Sequence, residues 1–156
     1  MKRKIILVAD DDPRDVATVM RLLKEARVVN PVQSVSDGAE AIAYLEGSGQ
    51  YVDRNLYPCP ALVLLDLMMP QRSGLAVLRW IQGRPKASHT AFGIIVMTYM
   101  GNNEGIKEAY SLGAHSFLMK PVLLVDLVNL LNGLKGIRLE SGDGGRYLDF
   151  DAAAIQ

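Results

Sequence analysis

The chain has 156 residues, the size of one domain with a single core, and 49% of them are hydrophobic, which excludes a disordered segment. Seventeen Lys and Arg balance seventeen Asp and Glu, and this zero net charge argues against a protein built to grip nucleic acid or anionic lipid. One Cys forbids an internal disulfide, one Cys with two His argues against structural zinc, and no apolar run reaches the ~18 residues of a membrane span. The apolar stretch after Met1-Lys2-Arg3-Lys4 is too short for a secretory signal, so a cytoplasmic location is expected.

Short apolar runs alternate with helical patterns, the signature of a parallel sheet with crossover helices on both faces. Ile5 to Ala9 reads as a buried strand, and Asp12-Pro13 as N-cap and first residue of a helix with Val16, Val19, Met20 and Leu23 on one face. Val32 to Val35 is a second strand. Ser36 is expected to cap the next helix, which carries Ala39, Ile42, Ala43 and Leu45 and ends near Gly47. A polar connection, Ser48 to Pro60, leads to the third strand, Ala61 to Leu65, which Asp66 ends. The spacing then predicts a helix over Ser73 to Gln82, strand four over Ile94 to Met97 and helix four over Ile106 to Leu112. Strand five covers Ser116 to Met119, and the last helix Val122 to Leu134. Glycines break the pattern after Lys135, so residues 1–134 read as the domain and 135–156 as a C-terminal tail too short for a second one.

Residues that packing does not require collect at the carboxyl ends of these strands. Asp10, Asp11 and Asp12 follow strand one, Asp66 ends strand three, Thr98 strand four and Lys120 strand five. Open parallel sheets bind ligands outside those ends, and in the strand order 2-1-3-4-5 the first and third strands are neighbours, so their acids converge. Clustered carboxylates repel one another, and a hard divalent cation such as Mg²⁺ relieves the repulsion with oxygen ligands. A carboxylate in such a site can take a phosphoryl group as an aspartyl phosphate, with a lysine and a hydroxyl directed at the phosphoryl oxygens. Each residue alone has an ordinary structural explanation; the ordered set Asp-Asp…Asp…Thr…Lys-Pro is far more specific.

The motifs Ile6-Leu7-Val8-Ala9-Asp10-Asp11-Asp12-Pro13, Leu64 to Pro70 with Gly74, Met97-Thr98, and Gly113-Ala114 through Lys120-Pro121 resemble the response-regulator receiver domain of two-component signalling. The resemblance runs from about Lys4 to Leu134 and implies a flavodoxin-like, doubly wound α/β fold with five parallel strands in the order 2-1-3-4-5. It implies Asp66 as phosphoacceptor, Asp11 as a direct Mg²⁺ ligand, Asp10 acting through a metal-bound water, and the Met68 main-chain carbonyl as the third protein ligand. Thr98 and Lys120 are expected to contact the phosphoryl group, Lys120-Pro121 to be cis, and Phe117 to be the switch aromatic beside Thr98. The partner it implies is a sensor histidine kinase, and the readout surface is helix four, strand five and helix five. The long connection after helix two and the segment Arg84 to Thr90 resemble single-domain receivers associated with bacterial phytochromes.

Two departures from the family pattern bear on rates. Bulky Tyr99 and Met100 follow Thr98, where a small residue is usual, and apolar Met68, two beyond Asp66, cannot orient an attacking water. Met68 also opposes the enzyme alternative, an aspartyl-phosphate phosphatase, which places a second Asp there. A nucleotide-binding module would want a Gly-rich turn after strand one rather than three aspartates. The chain is therefore expected to be a signalling switch that catalyses at most its own phosphorylation and dephosphorylation. On a wheel of about 100° per residue, Leu124, Leu127, Val128 and Leu131 form the core-facing stripe of the last helix, extended on one side by Leu134, Leu123 and Leu130. An apolar arc of roughly 160° exceeds what covering a sheet requires, so a homodimer through this helix is expected unless the C-terminal tail folds over the excess.

Overall fold

The computed structural model describes residues 4–85 and 92–151; of the segment Arg84 to Thr90, positions 86–90 lie outside the described residues. Five parallel strands form one sheet in the order β2-β1-β3-β4-β5: β1 (Ile5–Ala9), β2 (Val32–Val35), β3 (Pro60–Asp66), β4 (Gly93–Tyr99) and β5 (Ser116–Lys120). Every residue of β1 and β3 is buried, as strands covered on both faces must be. Alternate residues serve opposite faces. Leu7, Val63, Leu65 and Val96 pack with the helices α2 (Gly38–Glu46), α3 (Gly74–Gln82) and α4 (Asn103–Ser111), whereas Ile6, Leu62, Leu64 and Ile95 pack with α1 (Pro13–Glu25) and α5 (Leu124–Gly133).

Caps set the helix starts. The Asp12 carboxylate accepts from the Arg14 N–H at 2.9 Å with Pro13 beginning α1. Asp37, rather than the expected Ser36, caps α2: its side chain accepts from the Glu40 N–H at 2.7 Å, while the Glu40 carboxylate turns back to the N–H and hydroxyl of Ser36. Two core faces also differ from the wheel. Leu22 is buried and Met20 is exposed on α1, and on α2 Ala41 and Tyr44 are buried where Ala39 was expected. In α5 the buried stripe narrows to Leu127 and Leu131; Leu124 is 37% exposed because the helix begins there, at the rim of the sheet.

The connection 48–60 is ordered by its tyrosines. Tyr44, Tyr51 and Tyr57 meet with ring centroids 4.9 to 6.1 Å apart, and the Arg54 guanidinium donates to the carbonyls of Tyr44, Leu45 and Tyr57, closing the end of α2. Beyond α5 the chain forms an antiparallel hairpin, β6 (Ile137–Gly142) and β7 (Gly145–Phe150). Its buried Ile137 and Leu148 belong to the α1–α5 side of the core, Leu139 and Phe150 pack against that same cluster as do Val128, Leu130 and Leu134, and β6 runs in contact with α5. The stretch after Lys135 thus folds back over part of the α5 arc.

Buried Asn30 clasps the hairpin. Its amide donates to the carbonyls of Lys4 and Leu148 and accepts from the Leu148 N–H at 2.6 Å, and the backbones of Arg27 and Val29 exchange hydrogen bonds with Arg146. If residues 137–150 are part of the core, Leu148→Ala is expected to cost about 2–5 kcal/mol in urea unfolding. A loss below about 0.5 kcal/mol would mean that the hairpin packs only on the surface.

Candidate functional site

The carboxyl ends of β1, β3, β4 and β5 bring the expected residues together. Asp10 follows β1, Asp66 ends β3, Thr98 is the penultimate residue of β4 and Lys120 ends β5; all four are buried, and Lys120-Pro121 is cis. Close packing makes room for this. A Cβ on Gly74, at the start of α3, would lie 2.3 Å from the Asp66 carbonyl oxygen, so only glycine lets that helix seat against the end of β3.

Lys120 Nζ lies 2.7 Å from Asp10 Oδ2, 3.0 Å from Asp15 Oδ2 and 3.4 Å from Asp66 Oδ2. Burial opposes the ammonium charge, but the hydrogen bonds to Asp10 and Asp15 and the charge of Asp66 outweigh it, holding Lys120 above the usual lysine range. Asp66 behaves oppositely. Burial pushes its carboxyl up to about 6, against the Met68 N–H, which donates to Oδ1 at 3.0 Å, and against Lys120.

Asp10, Asp11 and Asp66 present carboxylate oxygens all within 4.8 Å of one another. One buried ammonium cannot neutralise these three together with Asp15, and an all-oxygen set with surplus negative charge fits a hard divalent cation. Both Asp10 oxygens are already engaged, Oδ2 by Lys120 and Oδ1 by the Asp12 N–H at 3.0 Å. Asp11 is exposed, and no hydrogen bond holds its carboxylate among the described residues.

The Thr98 hydroxyl accepts from Asn102 Nδ2 at 2.9 Å, and the same Asn102 side chain caps α4 through the Gly105 N–H. Phe117 is half-buried on β5 and meets Tyr110 of α4 edge-on, centroids 6.3 Å apart. The Met68 side chain is 66% exposed. Tyr99 bridges the mouth of the site: its hydroxyl donates to Asp15 Oδ2 at 3.3 Å and its ring centroid is 5.4 Å from Lys120 Nζ. Asp15 and Asn102 escape sequence reading because an acid in a helix's first turn and an Asn before a helix are each explained by the helix alone.

With this geometry, comparison with known proteins is unambiguous. Residues 6–132 match the response regulator receiver domain family, and the chain belongs to it: it is a phosphoacceptor signalling switch of the two-component type rather than an enzyme. Over 138 residues it is 30% identical to response regulator Rcp1 of a Synechocystis strain, covering 88% of this chain and 90% of Rcp1. The solved structure of the bacteriophytochrome response regulator AtBRR matches with a TM-score of 0.73 at 30% identity, covering 86% of this chain and 94% of that one. The Mn(2+)-bound form of Rcp1 matches with a TM-score of 0.68 at 30% identity, over 83% of this chain and 90% of that one.

The raised Asp66 pKa has a thermodynamic signature. The folded metal-free protein binds this proton more tightly than the unfolded chain does, so the Asp66 contribution to stability is full below pH ~3.8 and is lost as pH rises to about 6. Asp66→Asn is therefore expected to stabilise the metal-free protein at pH 7.5 by on the order of 1–3 kcal/mol and to bring no gain at pH 3.8. Denaturant unfolding of both proteins at the two pH values checks this, and an equal difference at both would refute the burial of charge at Asp66.

Proposed function

We propose that Asp66 is the phosphoacceptor of a histidine-kinase-driven switch, with Mg²⁺ as its cation. The observation that carries this reading is the Asp66 carboxylate, buried at a strand end and facing both the Asp10–Asp11 pair and Lys120. An Asp66 oxygen attacks the phosphorus of a phosphohistidine, the P–N bond breaks, and the imidazole leaves with the bonding pair. Lys120 directs N–H donors at the phosphoryl oxygens, and Thr98, whose oxygen already accepts from Asn102, still has its own hydroxyl hydrogen to give. Asp11, Asp66 and the Met68 carbonyl would hold the ion, with Asp10 acting through a bound water because Lys120 and the Asp12 N–H occupy its oxygens. The bound ion supplies charge neutralisation to the phosphoryl oxygens.

The readout proposed is the α4–β5–α5 surface. A hydroxyl pulled toward a phosphoryl group loosens the bond between Thr98 and Asn102, the residue whose side chain caps α4, and Phe117 lies against Tyr110 of the same helix. A phytochrome-type kinase is the proposed phosphodonor, supported by the likeness to AtBRR, a bacteriophytochrome response regulator. A cytoplasmic location without membrane or direct nucleic-acid contact agrees with balanced charge and with no described helix being long and apolar enough to cross a membrane. Self-association through α5 is proposed on narrower ground than the sequence suggested: Leu130 is half-buried against the core, whereas Leu123, Leu124 and Val125 are exposed.

Incubation with Mg²⁺ and a small phosphodonor is expected to add one phosphoryl mass to the wild type and none to Asp66→Asn. A gain persisting in that variant would move the site elsewhere. By calorimetry Asp11→Ala should weaken Mg²⁺ binding more than Asp10→Ala, and equal affinity in both variants and wild type would refute the ligand set. Val125→Glu should give a folded monomer in sedimentation. A wild type that is monomeric at every concentration, phosphorylated or not, removes the dimer.

A further inference from the structure

Lys120 has three ammonium hydrogens, and three carboxylates surround it. Two of them, Asp10 and Asp66, belong to the acidic trio and have a second source of positive charge in any cation that the trio holds. Asp15 has one ion-pair partner among the described residues, Lys120, with only the well-exposed charge of Arg14 besides. It is the third residue of α1, where a carboxylate ordinarily serves the helix dipole, yet its Oδ2 accepts from both Lys120, at 3.0 Å, and the Tyr99 hydroxyl, at 3.3 Å.

We propose that Asp15 is a positioning residue that latches Lys120 and Tyr99 in the resting state and releases the lysine when Asp66 is phosphorylated. This inference rests on the reading of Asp66 as phosphoacceptor. Phosphorylation turns the Asp66 carboxylate into an acyl phosphate, whose phosphoryl oxygens take the lysine hydrogen that faced Asp66 and compete for a second one, so either Asp10 or Asp15 gives way. Solvation decides which. The Asp15 side chain is 26% exposed and its freed oxygen meets water, whereas the Asp10 side chain is 0% exposed and would be left charged and buried. Release also withdraws the ammonium from the Tyr99 ring, 5.4 Å away, and Tyr99 is 53% exposed and immediately follows Thr98, so the state of Lys120 is felt at the mouth of the crevice. Asp15 thereby sets how readily the unmodified protein accepts a phosphoryl group.

Two measurements test the latch. In metal-free protein, Asp15→Asn is expected to shift the nuclear magnetic resonance signals of the Lys120 ammonium and the Tyr99 ring. With acetyl phosphate and Mg²⁺, the same variant should raise the maximal rate constant of phosphorylation roughly three- to tenfold, a fraction of the worth of a charge-assisted hydrogen bond because water rehydrates the freed wild-type carboxylate, with a smaller change in donor half-saturation. Tyr99→Phe, which removes only the hydroxyl, should act mainly on half-saturation. Unshifted resonances, an unchanged or lower maximal rate, or a gain confined to half-saturation would each overturn the latch. A wild type that takes up no phosphoryl group would instead overturn the reading of Asp66, and the resonances would still report on the Asp15 contact.

Discussion

The buried ammonium of Lys120 is the group on which the site depends. Four carboxylates stand in or beside a crevice at the end of a hydrophobic sheet, and one lysine keeps three of them in place. Removing it would leave the buried carboxylates of Asp10 and Asp66 without a neutralising charge, which proteins avoid by protonating such groups or unfolding. Even with Lys120 present, burial and, less, the neighbouring Asp10 charge push the Asp66 carboxyl up to about 6. Residual negative charge makes the crevice receptive to a cation and, with a cation present, to a phosphoryl group. The tension in the resting protein and the chemistry of the switch thus have a common source.

The sheet keeps that tension local. β1 and β3, the strands that deliver Asp10 and Asp66, are buried along their whole length and cannot shift without disturbing both sides of the core. Movement is left to the elements beyond the strand ends. Asn102 ties α4 to Thr98, and Tyr99 reaches α1 across the mouth. A rigid pair of acids beside two side-chain tethers is the arrangement a switch requires, because the charge stays fixed while its neighbours exchange partners.

Much of this was legible in the sequence, for reasons that can be named. The all-apolar runs Ile5 to Ala9 and Ala61 to Leu65 can only be strands covered on both faces, and acids placed directly after them have no role in packing. Asp10, Asp11, Asp66, Thr98 and Lys120 were therefore visible, and the structure brings them together. What stayed hidden depends on tertiary contact. Asp15 looks like a helix-dipole acid until Lys120 and Tyr99 arrive from positions 105 and 84 residues away. The glycines after Lys135 signal turns, and only the packing of Ile137 and Leu148 on the core, with the Asn30 clasp, shows that the turns enclose a docked hairpin. Ser36 and Asp37 are equally good caps by type, and the backbone decides between them.

The Asn30 clasp also bears on the order in which the chain assembles. It joins residues 118 apart, so its closure entropy is recovered only after the strands between have found their places. The hairpin is thus the unit whose docking closes a long loop of the chain, and α5 and residues 27 to 30 are its main neighbours. It covers one end of the α1–α5 layer, away from the carboxyl ends of the strands where the crevice lies. The two ends of one small domain thereby carry separate tasks, closure of a long loop at one and the pairing of charges at the other.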